Sequence, residues 1–231
     1  MRTLFATLAL AIAAAPVAAQ GHDHGGGHGA GQLPEGWHAR FDNPEHTLAD
    51  VMFMAHGGGF HARMGAPRAI FWNPEHSASG SYTVTAAFTQ PRPPEHLDGY
   101  GLIIGGKDLE APTQDYVYFL IRHDGRYIIK HRGGAEVHTI ADWTEHPAVQ
   151  KPDAQGRSSN TLSIDVGVEQ VRFLVNGTEV ASYDRAVMTQ VEGIAGLRVN
   201  HGVDVFVDRF ALDASPSGDR LPDSMIWQPG R

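Results

Sequence analysis

Thr161-Leu162-Ser163-Ile164-Asp165-Val166, Gln170-Val171-Arg172-Phe173-Leu174-Val175, the pair Asn176-Gly177 and Thr178-Glu179-Val180-Ala181-Ser182-Tyr183 form the stretch that decides the fold. Leu162, Ile164 and Val166, then Val171, Phe173 and Val175, recur at every second position. A period of two places one row of side chains on the buried face of a strand. Asn-Gly between two such runs is the sequence of a tight hairpin turn, which needs positive φ at both central residues. The same signal extends outward. Tyr82, Val84, Ala86 and Phe88 alternate with a face of Thr83, Thr85, Ala87 and Thr89. Strands are also expected at 100–105, 116–122, 127–132, 136–141, 193–199 and 203–212, with turns at His123–Arg126 and Gly133-Gly134. The interval 141–160 lacks alternation and reads as a long loop with room for one helical turn. No amphipathic helix longer than about three turns is found, so the expected class is an all-β, two-sheet antiparallel jelly-roll sandwich.

The ends read differently. Met1-Arg2-Thr3, an apolar run from Leu4 to Ala15 and the small residues Val17-Ala18-Ala19 have the anatomy of a secretory signal peptide over 1–19, cut after Ala19. That implies a periplasmic or secreted protein. The apolar run is shorter than the ~20 residues of an ordinary membrane span, and no later segment suits one. Residues 20–35 open with Gln20-Gly21-His22-Asp23-His24-Gly25, continue rich in Gly and His, and read as a flexible tether. The sandwich is expected over 36–212, followed by a polar tail over 213–231. The chain has 231 residues, no cysteine, 14 histidines and a formal charge of −8. Zero cysteines exclude disulfides and thiol chemistry. The acidic balance disfavours nucleic acid and anionic membrane as partners.

The order of the pieces carries a resemblance. Asp115-Tyr116-Val117-Tyr118-Phe119, Gly125-Arg126-Tyr127, Trp143, Asn160-Thr161-Leu162, Phe173-Leu174-Val175-Asn176-Gly177, Gly193-Ile194-Ala195-Gly196-Leu197 and Val205-Phe206-Val207-Asp208-Arg209-Phe210 follow one another. This resembles the concanavalin A-like lectin/glucanase jelly roll. The branch it is most similar to is the laminin-G-like and 3-keto-disaccharide-hydrolase-like domains of exported bacterial proteins. The resemblance covers roughly residues 36–212 and implies the fold. Lectins, glycosidases and adhesion modules share that fold, so function must be argued from a site.

Many glycosidases of this fold class carry E-x-D-x-E on one strand, and this chain has no such motif. Asp204 and Asp208 share a strand face but lie ~13 Å apart at ~3.3 Å per residue. A retaining pair needs ~5 Å and an inverting pair up to ~9.5 Å. The better candidate is an aromatic-polar strand face for a carbohydrate or related extracytoplasmic ligand. Tyr116, Tyr118 and Arg122 project opposite the core residues Val117, Phe119 and Ile121. The neighbouring hairpin adds Lys130 and Arg132, or Glu136 and His138. Tyrosine rings with charged neighbours supply stacking and directed hydrogen bonds. On this reading the face is solvated, and truncating Tyr118 costs little stability. A hydrolase or lyase acting on sugars is the enzymatic alternative.

The histidines suggest a third reading. After cleavage His22 becomes the third residue, where amine, amides and imidazole suit Cu(II) or Ni(II). His24 and His28 could join it or hold Zn. No cofactor is required by the fold. Asn43-Pro44-Glu45-His46 recurs as Asn73-Pro74-Glu75-His76, with Pro94-Glu95-His96 as an echo. Asn-Pro is turn chemistry. His56-Gly57-Gly58-Gly59-Phe60-His61 reads as a flexible loop.

Overall fold

A computed structural model describes residues 32–214. The leader, the tether histidines His22, His24 and His28, and the tail beyond residue 214 lie outside the described residues. The strands are β1 (His38–Phe41), β2 (Val51–His56), β3 (Gly59–Met64), β4 (Ala69–Ala78), β5 (Tyr82–Gln90), β6 (Tyr100–Lys107) and β7 (Asp115–Arg122). They continue with β8 (Arg126–Gly133), β9 (Glu136–Glu145), β10 (Ser158–Val166), β11 (Gln170–Val175), β12 (Thr178–Asp184), β13 (Gly193–Val199) and β14 (Asp204–Asp213). Two seven-stranded antiparallel sheets form, ordered β1-β4-β13-β6-β7-β8-β9 and β12-β11-β10-β5-β14-β3-β2. This is the expected jelly-roll sandwich. One turn of 3-10 helix, Leu48–Asp50, is the helical element of the described residues, and Thr47 caps it.

The hairpin at 161–183 folds as its sequence demands. Asn176 and Gly177 have φ of 52° and 77°, both positive as a type I′ turn requires. Asn176 does more than turn the chain. Its side chain accepts from Thr161 N and donates to Ala148 O and Asn160 Oδ1. The connection after β9 is thereby tied to the hairpin. Strand β5 alternates as read: Tyr82, Val84, Ala86 and Phe88 are at most 1% exposed. On its other face Thr83, Thr85 and Thr89 hydrogen-bond to Asp165, Ser163 and Ser159 across the pair with β10. Such cross-strand pairs are what stabilise a half-solvated sheet.

Three sequence expectations need correction. The interval 141–160 is not all loop, because β9 runs to Glu145 and carries Trp143 within it. Register irregularities between Tyr127 and Ile129 and between Ile129 and Lys130 shift the pairing of β8 with β9, which hides the alternation. His56 and His61 flank a tight β2–β3 hairpin at Gly57-Gly58 rather than a loop. Leu33 and Pro34, assigned to the tether, already touch the body. Leu33 packs on the main core, Pro34 is buried, and Trp37 N donates to Pro34 O.

The main core lies between the sheets, with Leu102 and Ile104, Val117, Phe119 and Ile121, and Leu162, Ile164 and Phe173 at its centre. A second apolar cluster lies on the outer face of the first sheet: Ile70, Trp72, Ile103, Leu109, Tyr116, Tyr118, Leu120 and Ile128. Strands β6 and β7 are therefore buried on both faces. This explains why Tyr127-Ile128-Ile129 shows no alternation: Ile128 belongs to the outer cluster, while Tyr127 and Ile129 belong to the inner core.

Gly177→Val is expected to lower the unfolding free energy by about 1–2 kcal/mol, the cost of forcing a β-branched residue to positive φ. Thr178→Val, at an exposed strand position, is expected to change it by less than about 0.5 kcal/mol. Paired denaturant titrations measure both. Phe119→Ala empties a site with 0% exposure, and a loss of about 3–5 kcal/mol is expected in the same assay.

Candidate functional site

A groove of about 460 Å³ opens on the outer face of the first sheet. Tyr118 and Leu120 from β7 and Ile128, Lys130 and Arg132 from β8 form its floor and one side. Val137 and Trp143 come from β9, Arg198 from β13, and Asn200 from the residue just beyond it. Asp42, Arg68, Leu97 and Asp98 come from loops at the opposite side. The alternation of the sequence builds it. Tyr118 pairs with Lys130 and Tyr116 with Arg132 across the β7–β8 ladder, so each pair points to one face. Arg198 registers opposite Gly101, and Gly101 opposite Leu120. At Gly101 a Cβ would run into Phe119 O and the backbone of Leu120, so no side chain fits between them.

Arg198 is the structural anchor of the groove. It is 4% exposed. Its guanidinium donates to both carboxylate oxygens of Asp42, and Nη1 also donates to Tyr116 Oη at 3.0 Å. It lies over the Tyr118 ring at 4.9 Å. Arg132 adds a second cation, with Nη1 3.6 Å from Asp42. Burial pulls the Asp42 carboxyl upward, but the charge and hydrogen bonds of Arg198, with Arg132 and Arg68, hold it below the usual carboxylate range. Burial likewise disfavours the Arg198 charge, and Tyr116 and Asp42 more than restore it. Burial raises the phenols of Tyr116 and Tyr118, so both stay neutral. Two buried polar atoms remain without a protein partner here, Arg198 Nε and Asn200 Oδ1. An unsatisfied buried group costs roughly 1–3 kcal/mol.

The residues proposed from sequence separate into three sets. Tyr118, Lys130 and Arg132 line the groove. Tyr116 shares their face but is 1% exposed and holds Arg198 from below. Arg122 lies at the same edge without lining the groove. Asp124 takes its Nε at 2.8 Å, and its guanidinium stacks on the Trp143 ring at 4.2 Å. It positions Trp143. Glu136 and His138 are not part of the groove. His138 pairs with His131, their rings 5.7 Å apart, and His131 follows Tyr127 and Ile129 on the opposite face of β8. The choice left open in the sequence thus falls to Lys130 and Arg132. The face is also not a solvated one. Tyr118 is 8% exposed and belongs to the outer cluster, so its truncation costs packing.

Sequence reasoning missed Arg198, Asp42, Arg68, Asn200 and the role of Trp143. Arg198 did leave a signal: a charge inside Gly-Ile-Ala-Gly-Leu-Arg-Val, between two inward apolar residues. Asp42 and Asn200 sit in loops, where no periodicity marks them.

The other sequence candidates have ordinary partners. Asp204 bonds His61 at 2.7 Å and lies 3.5 Å from Arg92. Asn43 and Asn73 each accept the amide two residues on, Glu45 N and Glu75 N, as the turn reading expects. The second does so within β4 rather than in a loop. No group of three or more His, Asp or Glu among the described residues is placed to hold a metal.

The chain is similar to a Bacillus subtilis protein of unknown function with a galectin-like fold, at TM-score 0.57 and 14% identity over 78% of this chain and 90% of that one. It is similar to the carbohydrate-binding module CBM66 from Bacillus subtilis, at TM-score 0.55 and 13% identity over 77% and 95%. The metal-free carbohydrate recognition domain of Emp46p gives TM-score 0.55 and 12% identity over 78% and 88%. The fold is a galectin-like, concanavalin A-like jelly roll. No protein-family model and no curated protein matches the chain.

Removing Asp42 strands the buried Arg198 charge. Asp42→Ala is expected to destabilise toward the low end of the ~3–5 kcal/mol seen for broken buried pairs, because the Asp42 side chain is 29% exposed. The pH dependence has a definite sign. A carboxyl lowered on folding stabilises above its unfolded value and loses that contribution as pH falls through its folded value. The wild type should therefore lose stability as pH drops below about 4. Asp42→Asn should flatten that acid limb, as read from unfolding midpoints across pH.

Proposed function

We propose that the protein is an exported carbohydrate-binding module of the laminin-G-like branch, and that its ligand lies in the groove on the outer face of the first sheet. One observation carries the reading. The groove combines the half-buried indole of Trp143 at its rim with a lining of polar and charged side chains held in place by Arg198 and Asp42. Its size is within the range of small-molecule sites. A sugar ring offers an apolar face for stacking and hydroxyls that donate and accept, which this lining complements. The carbohydrate-binding module and recognition domain of the same fold support the choice of ligand class.

Binding is favoured over hydrolysis by the state of the carboxylates. The groove is lined by Asp42 and Asp98, and arginines engage both, Asp42 through Arg198 and Asp98 through Arg68. A glycosidase acid needs a raised pKa, whereas Asp42 is lowered. Export is part of this proposal and rests on the sequence of residues 1–19. Among the described residues no helix is long and apolar enough to cross a membrane.

A glycan array with the purified protein tests the proposal. The expected result is a defined set of bound glycans whose affinity falls about two- to tenfold in Trp143→Ala, the scale of lost stacking. Trp143 is half-buried at the rim, so circular dichroism should show a folded variant. Tyr118→Phe keeps the ring that packs under Arg198 and should keep binding. A wild-type-like array profile for Trp143→Ala would place the ligand elsewhere.

A further inference from the structure

The ionisable groups around the groove are unevenly balanced. Arg68, Lys130, Arg132 and Arg198 line it against the two carboxylates Asp42 and Asp98. The chain as a whole carries −8, so the groove reverses the sign of the protein around it. Both carboxylates are already engaged. Asp42 serves Arg198 and Arg132, and Asp98 serves Arg68 at 3.3 Å. That leaves Lys130. It stands directly across from Tyr118 in the strand register and is half-buried. Among the described residues its ammonium has no ion-pair or hydrogen-bond partner.

Neutral sugars are held largely by offering their hydroxyl protons to carboxylates and carbonyls. Here the carboxylates are committed to arginines. The spare charge is cationic. A lysine beside an aromatic ring, in a partly enclosed groove, is screened less than one on open surface. Like-signed walls also raise the local concentration of the opposite charge.

We infer that the groove takes an oxyanion-bearing saccharide, its carboxylate or sulfate on Lys130 and its ring against Trp143. This deepens the proposed function and rests on the groove being the sugar site. An ammonium is a compact point charge without the planar fork that prefers one oxyanion, so uronate and sulfate ester share the chemistry, and the experiment separates them.

The test is calorimetric titration of the purified protein with four probes: a galacturonic acid tetramer, its methyl ester, a sulfated galactose tetramer and the neutral galactose tetramer. At least one anionic tetramer is expected to bind at least about tenfold more tightly than its uncharged counterpart, the scale of one charge-assisted hydrogen bond. That preference should shrink as salt rises from about 0.05 to 0.5 M. Lys130→Met should abolish the preference and Lys130→Arg should keep it. Whichever anion gains more identifies the source. The wild-type comparison of acid and ester, with its salt dependence, decides the matter even should Lys130→Met fold poorly. Equal binding of charged and neutral tetramers overturns the inference and leaves the carbohydrate reading standing, as does an anion preference that survives Lys130→Met. Absence of binding to all four probes overturns the inference, and absence of binding to the glycan array as well overturns both.

Discussion

The middle of the first sheet is dry on both faces, and much of the structure follows from that constraint. Strands β6 and β7 bury one row of side chains against the second sheet and another under the outer cluster. A polar side chain on this outer row is costly unless its hydrogen bonds are met. Arg198 is tolerated because Asp42, Tyr116 and the Tyr118 ring surround it. The pair also ties the loop after β1 to β13, two segments far apart in sequence. Such a pair adds little stability compared with apolar packing, yet breaking it is expensive. Its consequence here is geometric: it holds Tyr118 and Arg132 in place along one wall of the groove.

The second sheet solves the same problem differently. Its outer face is met by rows of threonine, serine and aspartate that bond across strands, as Thr85 does with Ser163 and Arg172 with Asp165. Nothing needs to cover such a face. The two sheets thus differ in hydropathy pattern for one reason. The first carries an apolar platform outside the core, and the second carries a solvated one.

The groove inherits its character from this asymmetry. Aromatic and aliphatic residues from β7, β8 and β9 supply its floor, and charged loops rim it. Arg122 illustrates how support and contact divide. The tyrosines and Arg122 alternate on one strand, but only Tyr118 of the three lines the groove, because Arg122 turns to Asp124 and Trp143. Strand periodicity tells which face a side chain leaves from. It does not tell which neighbour captures a long, flexible one.

Alternation and turn chemistry are local, so the sequence alone determined the all-β class, the Asn176-Gly177 hairpin, the inner row Val117, Phe119 and Ile121, and the shared face of Tyr116, Tyr118 and Arg122. Wherever a strand is buried on one face, the period of two is written in its residues, as in β5 and β10. Where both faces are buried, as in Tyr127-Ile128-Ile129, that period vanishes. Where pairing slips, as between Ile129 and Lys130, the phase of the next strand is lost with it. Only the tertiary structure could therefore decide that Lys130 and Arg132, and not Glu136 and His138, join Tyr118. It also decided that Asp42 and Arg198, 156 residues apart, meet beneath the groove, because burial of a charge depends on what folds over it and not on its neighbours in the chain.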